Sequence, residues 1–457
     1  MKDLIHVDAS LLAKWNKPVP RYTSYPTAPQ FRAIEESFLR EKLNQFSITE
    51  KPLSVYIHIP FCARMCLFCG CSVILNRKPE RQAAYLDSLL KEIDLAAACF
   101  PHKKKISQLH LGGGTPTSLS EPEFERLIQV LRRCFDWGDD AEISIEIDPR
   151  TVYADDGAKL SLLRKLGFNR VSFGVQDLDP IVQEAVKRRQ SEEMTVGTYL
   201  KARELGFEGI NLDLIYGLPF QTAKRFSKTV EKLIDLKPDR IAFYSYAKVP
   251  WLKEHQKAIP DETLPSPEEK FQIYVDARAA FMNGGYTAIG MDHFALQSDP
   301  ISQAYENRKL QRNFQGYSLQ LADDMIGFGV TSIGFLENCY FQNLKELSDY
   351  QARVEQGSLP VFRGFVLNQG DLKRRWTIQS LMCHFELDKE EFFQKFQIRF
   401  DDYFSKEQPQ LHSLAEEGLL EETKEKIVPT ATGRLFIRLI AAAFDAYIEK
   451  GQFSKAI

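Results

Sequence analysis

Four of the chain's eight cysteines fall within ten positions, at Cys62, Cys66, Cys69 and Cys71 of the run HIPFCARMCLFCGC. Thiolates are soft ligands that select zinc or iron–sulfur clusters. A structural zinc site uses two ligand pairs, each with about two to four residues between its members. Only Gly70 separates Cys69 from Cys71, so both sulfurs reach one metal awkwardly. A four-iron cluster as a rule takes four thiolates. If Cys62, Cys66 and Cys69 supply three, one iron stays open to a small substrate or cofactor. Cys71 is then available as a hydrogen donor, a relay or a small buried residue.

The elements that must hold these thiols are legible as a repeat. Short apolar or alternating stretches occur at 54–61, 108–114, 142–149, 170–176, 210–219, 240–250 and 286–294, with helical spacing between them. Strand alternating with helix predicts a parallel sheet. Polar or glycine residues gather at successive strand ends: Cys62, Gly112 to Gly114, Glu146, Gln176, Asp213, Tyr246 and Asp292. Barrel enzymes draw their sites from the ends of several strands, whereas an open sheet uses mainly one crevice. The pattern therefore favours a barrel. His110 and His293 read as packing residues at strand ends, although His293 and Asp292 in GMDHF have a second reading as site residues.

Three segments follow: an N-terminal arm over 1–45, a catalytic barrel with its extension over 46–350, and a C-terminal domain over 351–457. The arm, with PVPRYTSYPTAP, is either packed decoration or a flap over the barrel mouth. The C-terminal domain reads as mainly helical and winged-helix-like. Its wing, EETKEKIV, carries more acids than lysines, which disfavours a phosphate backbone.

Bulk composition narrows the class further. Hydrophobic residues make up 44%, charged residues 26%, and the formal net charge is −3. No long basic run argues for nucleic acid. The start lacks a continuous apolar leader. The most apolar late stretch, LFIRLIAAAFDAYI, is broken by Arg438 and Asp445, so no membrane span is expected. A cytoplasmic setting with reduced thiols is the expectation.

CARMCLFC resembles the CxxxCxxC signature of the radical S-adenosylmethionine enzymes. PRYTSYPT (20–27), YIHIPFC (56–62), LHLGGGTPT (109–117), EISIEIDPR (142–150), GVQD (174–177), DLIYGLP (213–219), GMDHFA (290–295) and RNFQGY (312–317) are similar to the oxygen-independent coproporphyrinogen III oxidase family. The likeness runs through nearly the whole chain. It implies an α/β fold: a partial (β/α)6 TIM-like barrel with an N-terminal arm and a small, winged-helix-like C-terminal domain. It also implies oxidative decarboxylation of two propionates of coproporphyrinogen III to vinyls, giving protoporphyrinogen IX. In that family a reduced [4Fe–4S] cluster cleaves S-adenosylmethionine to a 5′-deoxyadenosyl radical, which takes the unactivated propionate β-hydrogen. The alternative is a haem-binding chaperone of the same superfamily. Such relatives typically lack the fourth cysteine and the tyrosine-containing arm, both present here.

By the same resemblance, Cys62, Cys66 and Cys69 bind the cluster and two S-adenosylmethionine molecules sit side by side. Tyr56, Gly113, Glu146 and Ile333 contact the first. Phe68, Gly114, Thr115, Gln176, Arg188, Asp213 and Ala247 contact the second. Cys71 is a candidate catalytic group. A substrate bearing four carboxylates needs cations and hydroxyls, for which Arg21, Tyr22, Arg308 and Arg312 are candidates; each arginine has an ordinary surface pair as its alternative. Reduced flavodoxin or ferredoxin is the expected electron donor, and a monomer the expected state.

Overall fold

The computed structural model describes residues 7, 9–319, 323–448 and 453–455. Six strands carry the alternating segments: β1 (Leu53–Ile59), β2 (Lys105–Gly113), β3 (Asp136–Ile147), β4 (Arg170–Gln176), β5 (Gly209–Tyr216) and β6 (Arg240–Ser245). They pair in that order, each parallel to the next. The crossovers contain α1 (Pro79–Ala97), α2 (Glu121–Cys134), α3 (Ala158–Lys165), α4 (Glu192–Glu204) and α5 (Ala223–Leu236), and α6 (Pro267–Asn283) follows β6.

The helices form for local reasons. A capping box between Ser120 and Glu123 starts α2, and its apolar face places Phe124, Leu127, Ile128 and Leu131 in the core. Thr222 caps α5 by accepting the Arg225 N–H, and Phe226, Thr229, Val230 and Leu233 turn inwards. Each fully buried Leu or Phe contributes about 1.5–3 kcal/mol.

The strands split their faces by period two. Val55, Ile57, Leu109, Leu111, Ile143, Ile145, Val171, Phe173, Ile210, Leu212, Ile241 and Phe243 are buried. The alternate positions are polar and line one cavity of about 1550 Å³: Gln108, His110, Glu142, Ser144, Glu146, Arg170, Ser172, Asn211 and Asp213. A barrel normally fills its centre with branched apolar side chains. Polar side chains cannot close this centre on themselves without stranding hydrogen-bonding groups, so it remains a chamber. Among the residues that line it, Arg170 and Arg240 both pair with Asp299, at 2.9 and 2.8 Å, and Arg170 also meets Glu142 at 3.4 Å.

The barrel does not close. Beyond β1 the sheet continues through Met325–Phe328, Ile333–Leu336, Cys339–Asn343 and Val361–Val366; beyond β6 it continues through His293–Leu296 and Tyr286–Ile289. With the short edge strand Arg32–Ala33 beside Val361–Val366, the described residues form one 13-stranded sheet. The fold is thus a partial (β/α)6 barrel with an extension, followed by a mainly helical C-terminal region. There Gln369–His384, Lys389–Phe396 and Gln408–Glu416 pack with a small antiparallel sheet of Leu387–Asp388, Lys426–Pro429 and Leu420–Glu422.

The arm is packed. Trp15 donates to Glu417 at 2.5 Å and meets Phe436 edge-on at 5.3 Å. The Tyr22 hydroxyl donates to Asp445, Tyr25 accepts from the Ala446 N–H, and Arg438 donates to the Pro20 and Val19 carbonyls. Arm, barrel and C-terminal region share one apolar core. Among the described residues no helix is long and apolar enough to cross a membrane.

Candidate active site

The cysteine loop leaves β1 through Phe61–Cys62, which pairs with Ile74–Leu75. Its backbone is tied down from two sides. Leu67 N–H donates to the Val186 carbonyl at 3.0 Å. A strap after β6 supplies three more donors: Gln256 to the Phe68 carbonyl (2.9 Å), His255 to Cys69 (2.8 Å) and Lys253 to Cys71 (2.6 Å). Cys62, Cys66, Cys69 and Cys71 all line the cavity, and all eight cysteines are free thiols.

The thiols are not equivalent. Burial pushes Cys62 up to about 11, against a contact with the Thr115 hydroxyl at 3.2 Å. Cys69 is drawn down to about 6, first by a hydrogen bond from Cys71, whose own thiol is pushed up by the same bond. Cys66 lies 3.7 Å from Arg150 Nη2 and 3.6 Å from Arg188 Nη1. Among the described residues no three His, Cys, Asp or Glu side chains converge on a single metal ion. Three sulfur donors on one cavity-lining loop are chemically the soft donor set that an iron–sulfur cluster takes.

The glycine-rich turn after β2 sits against this loop. Gly113 adopts φ +117°, and a Cβ there would lie 2.7 Å from His58. A Cβ on Gly114 would lie 2.6 Å from the Pro60 carbonyl oxygen, a backbone atom that cannot rotate away. The two glycines are therefore required by the packing of this turn against His58 and Pro60. His58 donates Nε2–H to the Ser72 carbonyl at 3.0 Å, which leaves Nδ1 to accept from the Tyr56 hydroxyl at 3.1 Å. Gly113 N–H donates to Glu146 at 3.1 Å, and His110 meets Glu146 at 3.4 Å and Ser144 at 2.7 Å. Burial opposes ionisation of Glu146, but His110 and the Gly113 N–H outweigh it and hold the group below its ordinary value.

Asp213 behaves oppositely. Burial, then the charge of Glu146, raises it to about 7 despite donors from Asn211 (2.7 Å) and Ser172 (3.1 Å). Among the buried polar atoms of the described cavity-lining residues, Ser118 Oγ, Gln176 Oε1, Arg188 Nε, Asn211 Oδ1 and Tyr246 Oη lack a hydrogen-bond partner. Unpaired buried groups are costly, so they mark places where a polar ligand fits. Together with the thiols, these atoms fit a soft cluster and a charged, hydroxyl-bearing cofactor.

Tyr56, Phe68, Gly113, Gly114, Thr115, Glu146, Gln176, Arg188, Asp213 and Ala247 all line the cavity. Ile333 is not among its lining residues; it packs against the apolar cluster of Phe31, Phe335 and Tyr340. Arg21 donates to Asp292 at 2.7 Å and lies 5.9 Å from the Tyr244 ring centre. Arg312 is buried, 3.8 Å from Asp292 and 4.5 Å from the Tyr317 ring centre, with Nε and Nη1 lacking hydrogen-bond partners. Tyr244, Tyr317 and His293 line the cavity, so both arginines stand directly behind its wall. Tyr22 and Arg308 do not: Tyr22 is buried against Asp445, and Arg308 pairs with Glu386 (2.6 Å) and Glu391 (3.2 Å). The expectation for His110 is corrected, since it lines the chamber beside Glu146. Sequence reading missed Ser144, Ser172, Asn211, Asp148, Arg150 and the Lys253–His255–Gln256 strap. Period-two polarity within β3, β4 and β5 was an available signal for the first three.

The Radical SAM superfamily pattern matches residues 56–233, and the HemN C-terminal domain pattern matches residues 374–436. An oxygen-independent coproporphyrinogen III oxidase of Escherichia coli (strain K12) is 42% identical over 456 residues, 98% of this chain and 98% of that protein. Proteins of the same description are 41% identical in Synechocystis sp. (99% of this chain, 98% of that one) and in Pseudomonas aeruginosa (100% of both). The solved structure described as coproporphyrinogen III oxidase (HemN) from Escherichia coli, a radical SAM enzyme, matches with a TM-score of 0.90 at 42% identity, covering 97% of this chain and 100% of that one.

Proposed function

The chain belongs to the oxygen-independent coproporphyrinogen III oxidases of the radical SAM superfamily, and from that premise we propose how its own residues carry the reaction. It is an oxidoreductase that converts two propionates of coproporphyrinogen III to vinyls with loss of carbon dioxide, giving protoporphyrinogen IX. Identity of 42% across 98% of both chains is the observation that carries this reading. The relatives are described as oxidases, which leaves the haem-chaperone alternative without support.

Cys62, Cys66 and Cys69 would hold the cluster through their thiolates. A [4Fe–4S] cluster with S-adenosylmethionine supplies, when bound, the one-electron chemistry that takes an unactivated β-hydrogen. The chain's own groups bind and orient. Tyr56, the Gly113 backbone and Glu146 hold the first S-adenosylmethionine, Glu146 as an ionised acceptor for hydroxyl or amine protons. Phe68, Gly114, Thr115, Gln176, Arg188, Asp213 and Ala247 hold a second. A cavity of about 1550 Å³ supports this, since single-ligand pockets span about 300–1,000 Å³. Arg21 and Arg312 offer charge to substrate carboxylates, with Asp292 fixing both. Cys71 lines the chamber beside Cys69 and serves the reaction as a catalytic group. Reduced flavodoxin or ferredoxin supplies electrons, and the chain works as a monomer.

The test is an anaerobic assay of cluster-reconstituted protein with dithionite, S-adenosylmethionine and coproporphyrinogen III. The expected products are protoporphyrinogen, carbon dioxide, methionine and 5′-deoxyadenosine. Haem binding without vinyl formation would reject the reading.

A further inference from the structure

Cys66 is the most enclosed thiol of the loop, at 8% exposure. Two guanidinium groups face its sulfur, Arg150 Nη2 at 3.7 Å and Arg188 Nη1 at 3.6 Å. One carboxylate anchors both. Asp148 accepts from Arg150 Nη2 at 2.6 Å and Nε at 2.9 Å, and from Arg188 Nη1 at 3.3 Å. Asp148 also caps the turn Pro149–Thr151 by accepting the Arg150 N–H at 3.0 Å, so the anchor is built into the end of β3. Arg188 is further held by the Gly174 carbonyl at 2.6 Å. Two cations against one carboxylate leave a net positive charge beside one sulfur. An ordinary ion pair between Asp148 and Arg150 would need no thiol within reach.

We propose that Arg150, fixed by Asp148, sets the reduction potential of an iron–sulfur cluster ligated through Cys66. This rests on reading Cys62, Cys66 and Cys69 as the cluster ligands. Reduction adds one electron to the cluster, taken from an external low-potential reductant such as dithionite, and forms or breaks no covalent bond. A fixed cation and a hydrogen bond to the ligand sulfur stabilise the more negative, reduced state and raise the potential. Asp148 lowers that effect by its own charge but aims the planar fork at the sulfur, a geometry that lysine does not reproduce. Arg150 is a positioning residue in this role, since it acts through the sulfur.

The experiment is a potentiometric titration of anaerobically reconstituted protein with dithionite, following the electron paramagnetic resonance signal of the reduced cluster. Wild type, Arg150→Met and Arg150→Lys are compared at matched iron and sulfide content. The expected result is a drop of about 59 mV or more in Arg150→Met, a tenfold loss in the one-electron equilibrium, with Arg150→Lys in between. A potential in Arg150→Met equal to or above wild type would overturn the inference. So would Arg150→Lys at wild-type potential if Arg150→Met fails to take up iron, because the side chain would then be structural. A wild-type protein that takes up no four-iron cluster would instead remove the reading of the cysteines, and this inference with it.

Discussion

Asp213 and Glu146 are both carboxylates inside one chamber, yet their surroundings push them apart. Glu146 is stabilised as an anion by His110 and the Gly113 N–H. Asp213 is lifted to about 7 by burial and by the Glu146 charge. A raised carboxylate keeps in the folded state a proton that the unfolded chain loses near pH 3.9. Asp213 therefore subtracts stability progressively from about pH 4 to 7, and by a constant amount above that. A cationic ligand reverses the sign, because it favours the ionised form. S-adenosylmethionine affinity, measured by equilibrium dialysis, should rise about tenfold between pH 6 and 8. Asp213→Asn should abolish that dependence; a wild-type affinity flat across this range would exclude Asp213 from the contact.

Backbone geometry gives a second prediction at this scale. Gly114→Ala places a methyl carbon 2.6 Å from the Pro60 carbonyl oxygen. The turn must shift, at a cost of about 1–3 kcal/mol, and it carries Thr115 away from Cys62. Thermal melting and iron content should both fall. Iron uptake and stability unchanged from wild type would show that the turn adapts.

At the scale of elements, the strand and helix repeat was legible because each segment obeys a simple period. Strand ends were legible because Cys62, Glu146, Gln176 and Asp213 stand out at apolar runs. The strap was not. Lys253, His255 and Gln256 lie some 190 residues from the loop they hold, roughly the length of the intervening barrel, and nothing local in a lysine or glutamine marks a carbonyl partner so far along the chain. Arg150 was hidden for a similar reason: beside Asp148 it reads as a local ion pair, and only the fold brings Cys66 to it. The arm was ambiguous in sequence because prolines and tyrosines serve a flap and a packed segment equally.

The seam between β1 and the sheet's extension contains a buried knot. Glu92 of α1 accepts from the Tyr350 hydroxyl (2.5 Å), the Asn343 amide (2.6 Å) and the Gly329 N–H (2.8 Å). Burial raises Glu92 to about 7 against these donors. Glu92→Ala leaves the Tyr350 hydroxyl and the Gly329 N–H buried without this acceptor, while Asn343 keeps the Gly329 carbonyl and Ser332, and should cost about 2–4 kcal/mol in chemical denaturation. A loss below 0.5 kcal/mol, roughly the surface-substitution range, would mean that water replaces the carboxylate.

On the scale of the whole molecule, the arm closes a circuit. It joins the C-terminal region through Trp15, Tyr22 and Tyr25, and the chamber wall through Arg21 and Asp292. Deleting residues 1–30 should therefore lower the melting temperature as well as decarboxylation, while iron content holds. Turnover equal to wild type would remove the arm from the catalytic assembly. Arg21→Ala removes the charge and keeps the arm's apolar packing: it should raise KM for coproporphyrinogen and lower the melting temperature less than the deletion does.

The polar chamber, the uneven thiols and the near full-length likeness to known oxidases support one proposal: three of the loop's cysteines would ligate a cluster and leave one iron for S-adenosylmethionine. Electron–nuclear double resonance on the reduced, anaerobic protein with S-adenosylmethionine labelled at its amine and carboxylate addresses it directly. Direct coupling of both labels to the cluster is the predicted result. A reduced cluster whose spectrum ignores the labelled cofactor would contradict the account.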